Sequence, residues 1–140
     1  EQIKNNWVML ATMISDPTDP VRALWERMNA RDWDGIQRLL DGGFQAVWPQ
    51  TGERIPTPTA YVGLNRTYPG VWRCTVLAVD ATAEGAVARV RISDGTLSLF
   101  AIGFYRVMGG RILAAEEYFG DAGPPPHDRS EWTEPLAAPR

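Results

Sequence analysis

Apolar residues recur at helical spacing twice early in the chain and alternate with polar ones over most of the rest. Val21, Leu24, Trp25 and Met28 share one face of a 3.6-residue repeat, with Asp19 as the expected N-cap and Pro20 in the first helical position. Trp33, Ile36, Leu39 and Leu40 repeat the pattern behind Asp32, a second capping residue, and Gly42-Gly43 supplies the conformational freedom for a left-handed stop. A strand is expected over 44–50, then a polar turn over 51–54 and a proline-broken stretch. A third, shorter helix over 59–68 is closed by Pro69-Gly70. From there the period changes to two, which predicts strands over 72–81, 87–93, 96–108 and 111–119. Glu84-Gly85, Asp94-Gly95 and Gly109-Gly110 are tight-turn signals, so these four strands form an antiparallel meander. Helices followed by strands give an α+β domain, with N-terminal helices packed on a strongly curved, mainly antiparallel sheet that encloses one pocket.

Strand parity indicates which residues face that pocket, because alternate side chains share a face. Phe44, Ala46, Trp48 and Gln50 form one row, apolar at its start and polar at its end. Val87, Arg89, Arg91 and Ser93 oppose Ala88, Val90 and Ile92. In the last strand Leu113, Ala115, Glu117, Phe119 and Asp121 oppose Ile112, Ala114, Glu116 and Tyr118. Both of these faces carry a carboxylate, so one of the two is aimed inward, and an inward carboxylate is costly unless paired. Parity alone does not choose between Glu116 and Glu117. On the third helix Tyr61, Leu64, Asn65 and Tyr68 share a face, which turns Asn65 toward the cavity. Gln50 is an uncharged amide in an aromatic row and needs a hydrogen-bond partner there.

The chain has 140 residues, enough for one domain with a real core. Six tryptophans form a heavy load at this length and fit a bulky core or an aromatic-lined cavity, with Trp25 and Trp48 more readily read as core than as ligand platforms. A net charge of −3 with interspersed signs gives no footprint for nucleic acid. No apolar run is long enough to span a bilayer, and no secretion signal is visible, so no membrane partner and a cytoplasmic setting are expected. Cys74 is the only cysteine and His127 the only histidine. No metal site and no cofactor are therefore expected, and Cys74 has no histidine to activate it. Lys4 is the only lysine among arginines, so residues 1–12 are read as an N-terminal extension, either added or an appended helix with Ile3, Trp7, Leu10 and Ile14 on one face. The domain proper is expected over 13–121. The segment 122–140, with Pro124-Pro125-Pro126, is expected to run extended over the surface.

Four segments in order, "LWERMNARDWDGIQRLL", "WPQTGERI", "LNRTYPGVWR" and "GRILAAEEYFGD", resemble the nuclear transport factor 2-like superfamily, in particular its SnoaL-like branch. The likeness spans roughly residues 20–132. It implies a cone of helices and curved sheet around a pocket, commonly a homodimer through the outer sheet face.

Within that superfamily the resemblance to limonene epoxide hydrolases places a catalytic carboxylate on Glu117, their Arg-x-Asp pair on Arg91 and Ser93, and their water-binding Tyr-x-Asn on Trp48 and Gln50. Serine at position 93 leaves the arginine-bridged acid and base pair incomplete, so an epoxide hydrolase is the weaker enzyme reading. The resemblance to SnoaL-like polyketide cyclases and steroid isomerases implies instead proton abstraction beside a carbonyl, with Glu117 as base assisted by Arg91. Trp48, Gln50 or Tyr61 would bind the enolate oxygen, and Asn65, Ser93, Tyr118 and Asp121 would complete the substrate-binding set. The expected partner is a small apolar or carbonyl-containing organic molecule. A structural Glu117–Arg91 ion pair in a non-catalytic binding or dimerisation module is the competing reading.

Overall fold

The structure is a computed structural model and describes residues 16–137. The expected N-terminal helix over residues 3–14 lies outside them. Helix α1 (Thr18–Ala30) starts slightly earlier than Asp19 alone would set. Pro17 occupies the cap position, the Asp16 carboxylate accepts from the Thr18 backbone N–H at 2.9 Å, and Asp19 falls in the first turn, where the helix dipole favours an acid. α1 ends on Arg31, a non-glycine residue at φ 54° whose N–H returns to the last turn. Helix α2 (Trp33–Leu39) is capped as expected, the Asp32 carboxylate accepting from the Gly35 N–H at 2.9 Å. Asp32→Ala is expected to lower stability by about 1 kcal/mol without disturbing the cavity, as read by chemical denaturation.

The double glycine plays a different role from the one expected. Leu40 already has extended geometry, and strand β1 (Leu40–Trp48) runs through Gly42 and Gly43, neither of which takes a positive φ. They lie where the β1–β6 pairing slips between Leu40 and Gln45, so they serve a bulge instead of a helix stop. The turn after β1 lies two residues earlier than expected, over 49–52. Thr51 N–H bonds to Trp48 C=O at 3.2 Å, Gly52 adopts φ 70°, and Glu53–Ile55 forms a short strand, β2, against β1. Helix α3 (Pro58–Arg66) begins behind Thr57, whose hydroxyl accepts from the Ala60 N–H.

The meander follows: β3 (Arg73–Ala81), β4 (Gly85–Ser93), β5 (Ser98–Met108) and β6 (Arg111–Asp121). Among the described residues six strands make one sheet in the order β2-β1-β6-β5-β4-β3, in which only the β1–β6 pair is parallel. The three helices cover one face. Small residues on that face, Ala46, Ala88, Ala101 and Ala115, let the helices approach, and Val21, Leu24, Ile36, Phe44 and Ile112 fill the remainder of the core. A register break in the β5–β6 ladder between Arg106 and Val107 turns Ile112 inward and leaves Leu113 half-buried, the reverse of the simple alternation expected there. Beyond the break parity holds through Ala115, Glu117, Phe119 and Asp121. Residues 122–137 contain no helix or strand and are exposed. No helix among the described residues is long and apolar enough to cross a membrane.

Candidate active site

The bend between the helices and the sheet leaves a cavity of about 500 Å³. β1 supplies Trp48, and Gln50 lies just beyond its end. β6 supplies Glu117, Phe119 and Asp121. α1 and the residues after it supply Trp25, Met28 and Arg31, and α3 supplies Tyr61, Leu64 and Asn65. Four tryptophans, Trp25, Trp33, Trp48 and Trp72, stand in its wall. Sequence parity leaves Glu116 and Glu117 equivalent. The structure exposes Glu116 and buries Glu117 at 2% exposure, the only charged side chain in the core among the described residues.

Three aromatic donors converge on that carboxylate. The Trp48 indole N–H donates to Glu117 Oε1 at 3.1 Å, and the Tyr105 hydroxyl donates to Oε2 at 2.7 Å. The Tyr61 hydroxyl reaches both oxygens, at 3.2 and 3.0 Å. Edge-on contact with Phe44 at 5.1 Å fixes the Tyr61 ring, and Phe119 fixes Trp48 in the same way at the same spacing. Burial raises the Glu117 pKa above the ordinary carboxylate value, while the bonds from Tyr105, Trp48 and Tyr61 hold the rise in check. Burial raises both tyrosines well above their usual value, with Glu117 adding to the effect, so both remain donors. Among the described residues the buried Trp25 indole N–H lacks a hydrogen-bond partner; it lies toward the Tyr105 oxygen, where it works against that tyrosine's upward shift. Cys74 lines the same cavity with its thiol pushed up to about 11 by burial, which keeps it protonated and poorly nucleophilic.

The amides have defined orientations. Gln50 Oε1 accepts from the Phe119 backbone N–H, and Asn65 Nδ2 donates to the Tyr61 carbonyl at 2.9 Å. Among the described residues no three His, Cys, Asp or Glu side chains converge as metal ligands.

Of the residues expected at the site, Glu117, Trp48, Gln50, Tyr61, Asn65 and Asp121 line the cavity together. Arg91 does not. It lies on the outer sheet face, exposed, with its guanidinium 3.5 Å from Ser98 Oγ. β5 separates β4 from β6, and across that ladder Arg91 aligns with Phe100 and Gly120, so it neither pairs with Glu117 nor points to the same side. Ser93 shares that face, and its hydroxyl accepts from the Gly95 N–H in the following turn. Tyr118 is 38% exposed and packs edge-on against Phe104 on the outside. The expected Arg91–Glu117 ion pair is therefore absent, and aromatic donors take its place around the carboxylate.

Sequence reasoning missed Tyr105. Gly103 lies directly opposite Glu117 in the β5–β6 ladder only because of the register break, which the sequence does not mark, and the Tyr105 ring folds back over it, filling the space a side chain at 103 would occupy. Only glycine leaves that path to Glu117 open.

Residues 21–115 match the SnoaL-like domain, and the chain belongs to that family. No curated protein matches it. Among solved structures, a ketosteroid isomerase candidate from Kribbella flavida is 28% identical with a TM-score of 0.78, the match covering 87% of this chain and 90% of that one. IdmH from Streptomyces antibioticus, a polyketide cyclase candidate, shares the fold at 16% identity and a TM-score of 0.65, over 75% of this chain and 92% of its own. An LEH-like epoxide hydrolase from M. tuberculosis does so at 17% identity and a TM-score of 0.63, over 74% of this chain and 81% of its own.

Proposed function

We propose that the protein is a cofactor-independent enzyme that moves a proton at a carbon next to a carbonyl, as in an isomerisation or cyclisation. The observation that carries this reading is Glu117: a buried carboxylate with no cationic partner among the described residues, at the wall of an aromatic cavity. A carboxylate in water is a weak base toward carbon acids. One whose pKa is raised by burial is closer to the strength the reaction needs. In the step, the C–H bond breaks, the proton goes to Glu117, and the electron pair moves onto the carbonyl oxygen. Return of the proton from Glu117 to the same or another carbon closes the cycle. The Gln50 amide N–H group, free because its oxygen is held by Phe119, is the donor available to the developing enolate oxygen. Resemblance to the ketosteroid isomerase candidate supports this class of chemistry.

The epoxide-opening reading loses support, since Arg91 and Ser93 stand on the outer face. A non-catalytic role draws on a different observation: Glu117 is so completely bonded that the cluster also serves to lock four elements, β1, α3, β5 and β6, together. The two are separated by hydrogen–deuterium exchange at the α-carbon of 1-tetralone in D2O, followed by proton NMR. Exchange faster than in buffer with an equal concentration of acetate is expected. A rate no faster than that control would leave the binding role.

A further inference from the structure

The two amides that line the cavity are not free to choose which end they present. The backbone N–H of Phe119 can only donate, so the Gln50 side chain must give it the oxygen and turn its NH2 away. The Tyr61 carbonyl can only accept, so Asn65 must give it the NH2 and turn its oxygen away. Neither exposed end has a protein partner among the described residues. Gln50 stands beyond β1 beside Phe119, and Asn65 stands one turn after Tyr61 on α3, so the donor and the acceptor come from the sheet side and the helix side of one cavity. The charged groups in the wall are Arg31 against Glu53, Glu117 and Asp121, a balance that opposes an anionic ligand.

We propose that the cavity selects a neutral hydroxy-ketone, reading the carbonyl with the Gln50 N–H group and a hydroxyl on the remote part of the same molecule with the Asn65 carbonyl oxygen. This rests on the reading of the cavity as a ketone site and adds the second functional group that its substrate carries. The hydroxyl is distinguished from a merely apolar substituent because a ketone without it leaves the Asn65 oxygen facing an apolar ligand with no donor, and an unmet acceptor in a dry contact is penalised.

Binding, which does not depend on turnover, tests it. 1-Tetralone and its 5-, 6- and 7-hydroxy derivatives are titrated into the full chain by isothermal calorimetry. At least one hydroxy isomer is expected to bind about three- to tenfold more tightly than the parent ketone, the range of one neutral hydrogen bond. Asn65→Leu brings that isomer back to the level of 1-tetralone, whereas Gln50→Leu weakens both ketones and keeps the preference. The methoxy counterpart of the preferred isomer supplies a test in the unsubstituted protein: with no proton to donate, it binds no more tightly than the parent. Equal affinity for all four ketones, no binding of any of them, a preference that survives Asn65→Leu, or a methoxy ketone as tight as the hydroxy one overturns the inference. Deuterium exchange without any hydroxyl preference removes this read-out and leaves the Glu117 base intact. A hydroxyl preference without exchange does the reverse.

Discussion

Glu117→Gln is expected to slow ketone deprotonation by a factor of about 10² to 10⁴, the usual worth of a positioned general base, in a protein that remains folded. The amide keeps the shape of the side chain but cannot take the proton. The pH dependence gives a sharper signature. Burial holds the Glu117 proton above the ordinary carboxylate value, so activity rises with pH through a midpoint above that range, and the rise is missing from the variant. Stability moves the other way. The folded state binds this proton more tightly than the unfolded chain does, so the contribution of Glu117 is fully present below the unfolded value and is lost as pH rises through the folded one. Urea denaturation at a series of pH values is expected to show stability falling across the interval in which activity appears, with a shallower fall in Glu117→Gln. Parallel pH profiles for the two proteins would remove Glu117 from both effects.

Gly103→Ala is expected to injure the same carboxylate without touching it. A Cβ at 103 would meet Tyr105 ring carbons at 2.5 Å, with the hydroxyl also in the way, and a buried strand cannot yield that much. The ring must swing off its path and lose its bond to Glu117 Oε2, and overpacking of this kind costs about 1 to 3 kcal/mol. Tyr105 is one of the donors that restrain the Glu117 pKa, so its departure moves the activity midpoint to higher pH. Tyr105→Phe removes the same donor with no clash. The two variants are expected to shift the pH profile in the same direction, with Gly103→Ala losing more stability by urea titration. An unshifted profile in Tyr105→Phe would show that Tyr105 does not position the base.

The architecture was largely legible in the chain because its punctuation is local. Asp32 capped the helix it was expected to cap, and the glycine turns at 95 and 109–110 joined the strands they were expected to join. What failed was non-local. Gly42-Gly43 looked like a helix stop because a glycine pair signals backbone freedom without saying which element will use it, and here a strand bulge does. Alternation placed Leu113 with Glu117 because a register break leaves no mark in one strand's own pattern. Pairing Arg91 with Glu117 requires their strands to be neighbours, yet strand order is a property of the assembled sheet, and β5 lies between them. Periodicity puts Gln50, Tyr61 and Asn65 on the cavity side, and Trp48 shares the row of Gln50 although its type alone reads more readily as core. Tyr105 is not placed there, because an aromatic residue in a β-rich stretch is ordinary, and its reach to Glu117 depends on a glycine two residues away.

Four tryptophans in the cavity wall give the molecule an optical property of its own. Trp48 shares its N–H with Glu117, and Trp25, Trp33 and Trp72 stand around the same space, whereas Trp132 is 82% exposed in the C-terminal segment. Much of the intrinsic fluorescence therefore originates within a few ångströms of whatever enters. The emission spectrum is expected to register both the arrival of a ligand and the charge on the carboxylate, so that screening for the natural compound would need neither label nor assay of turnover.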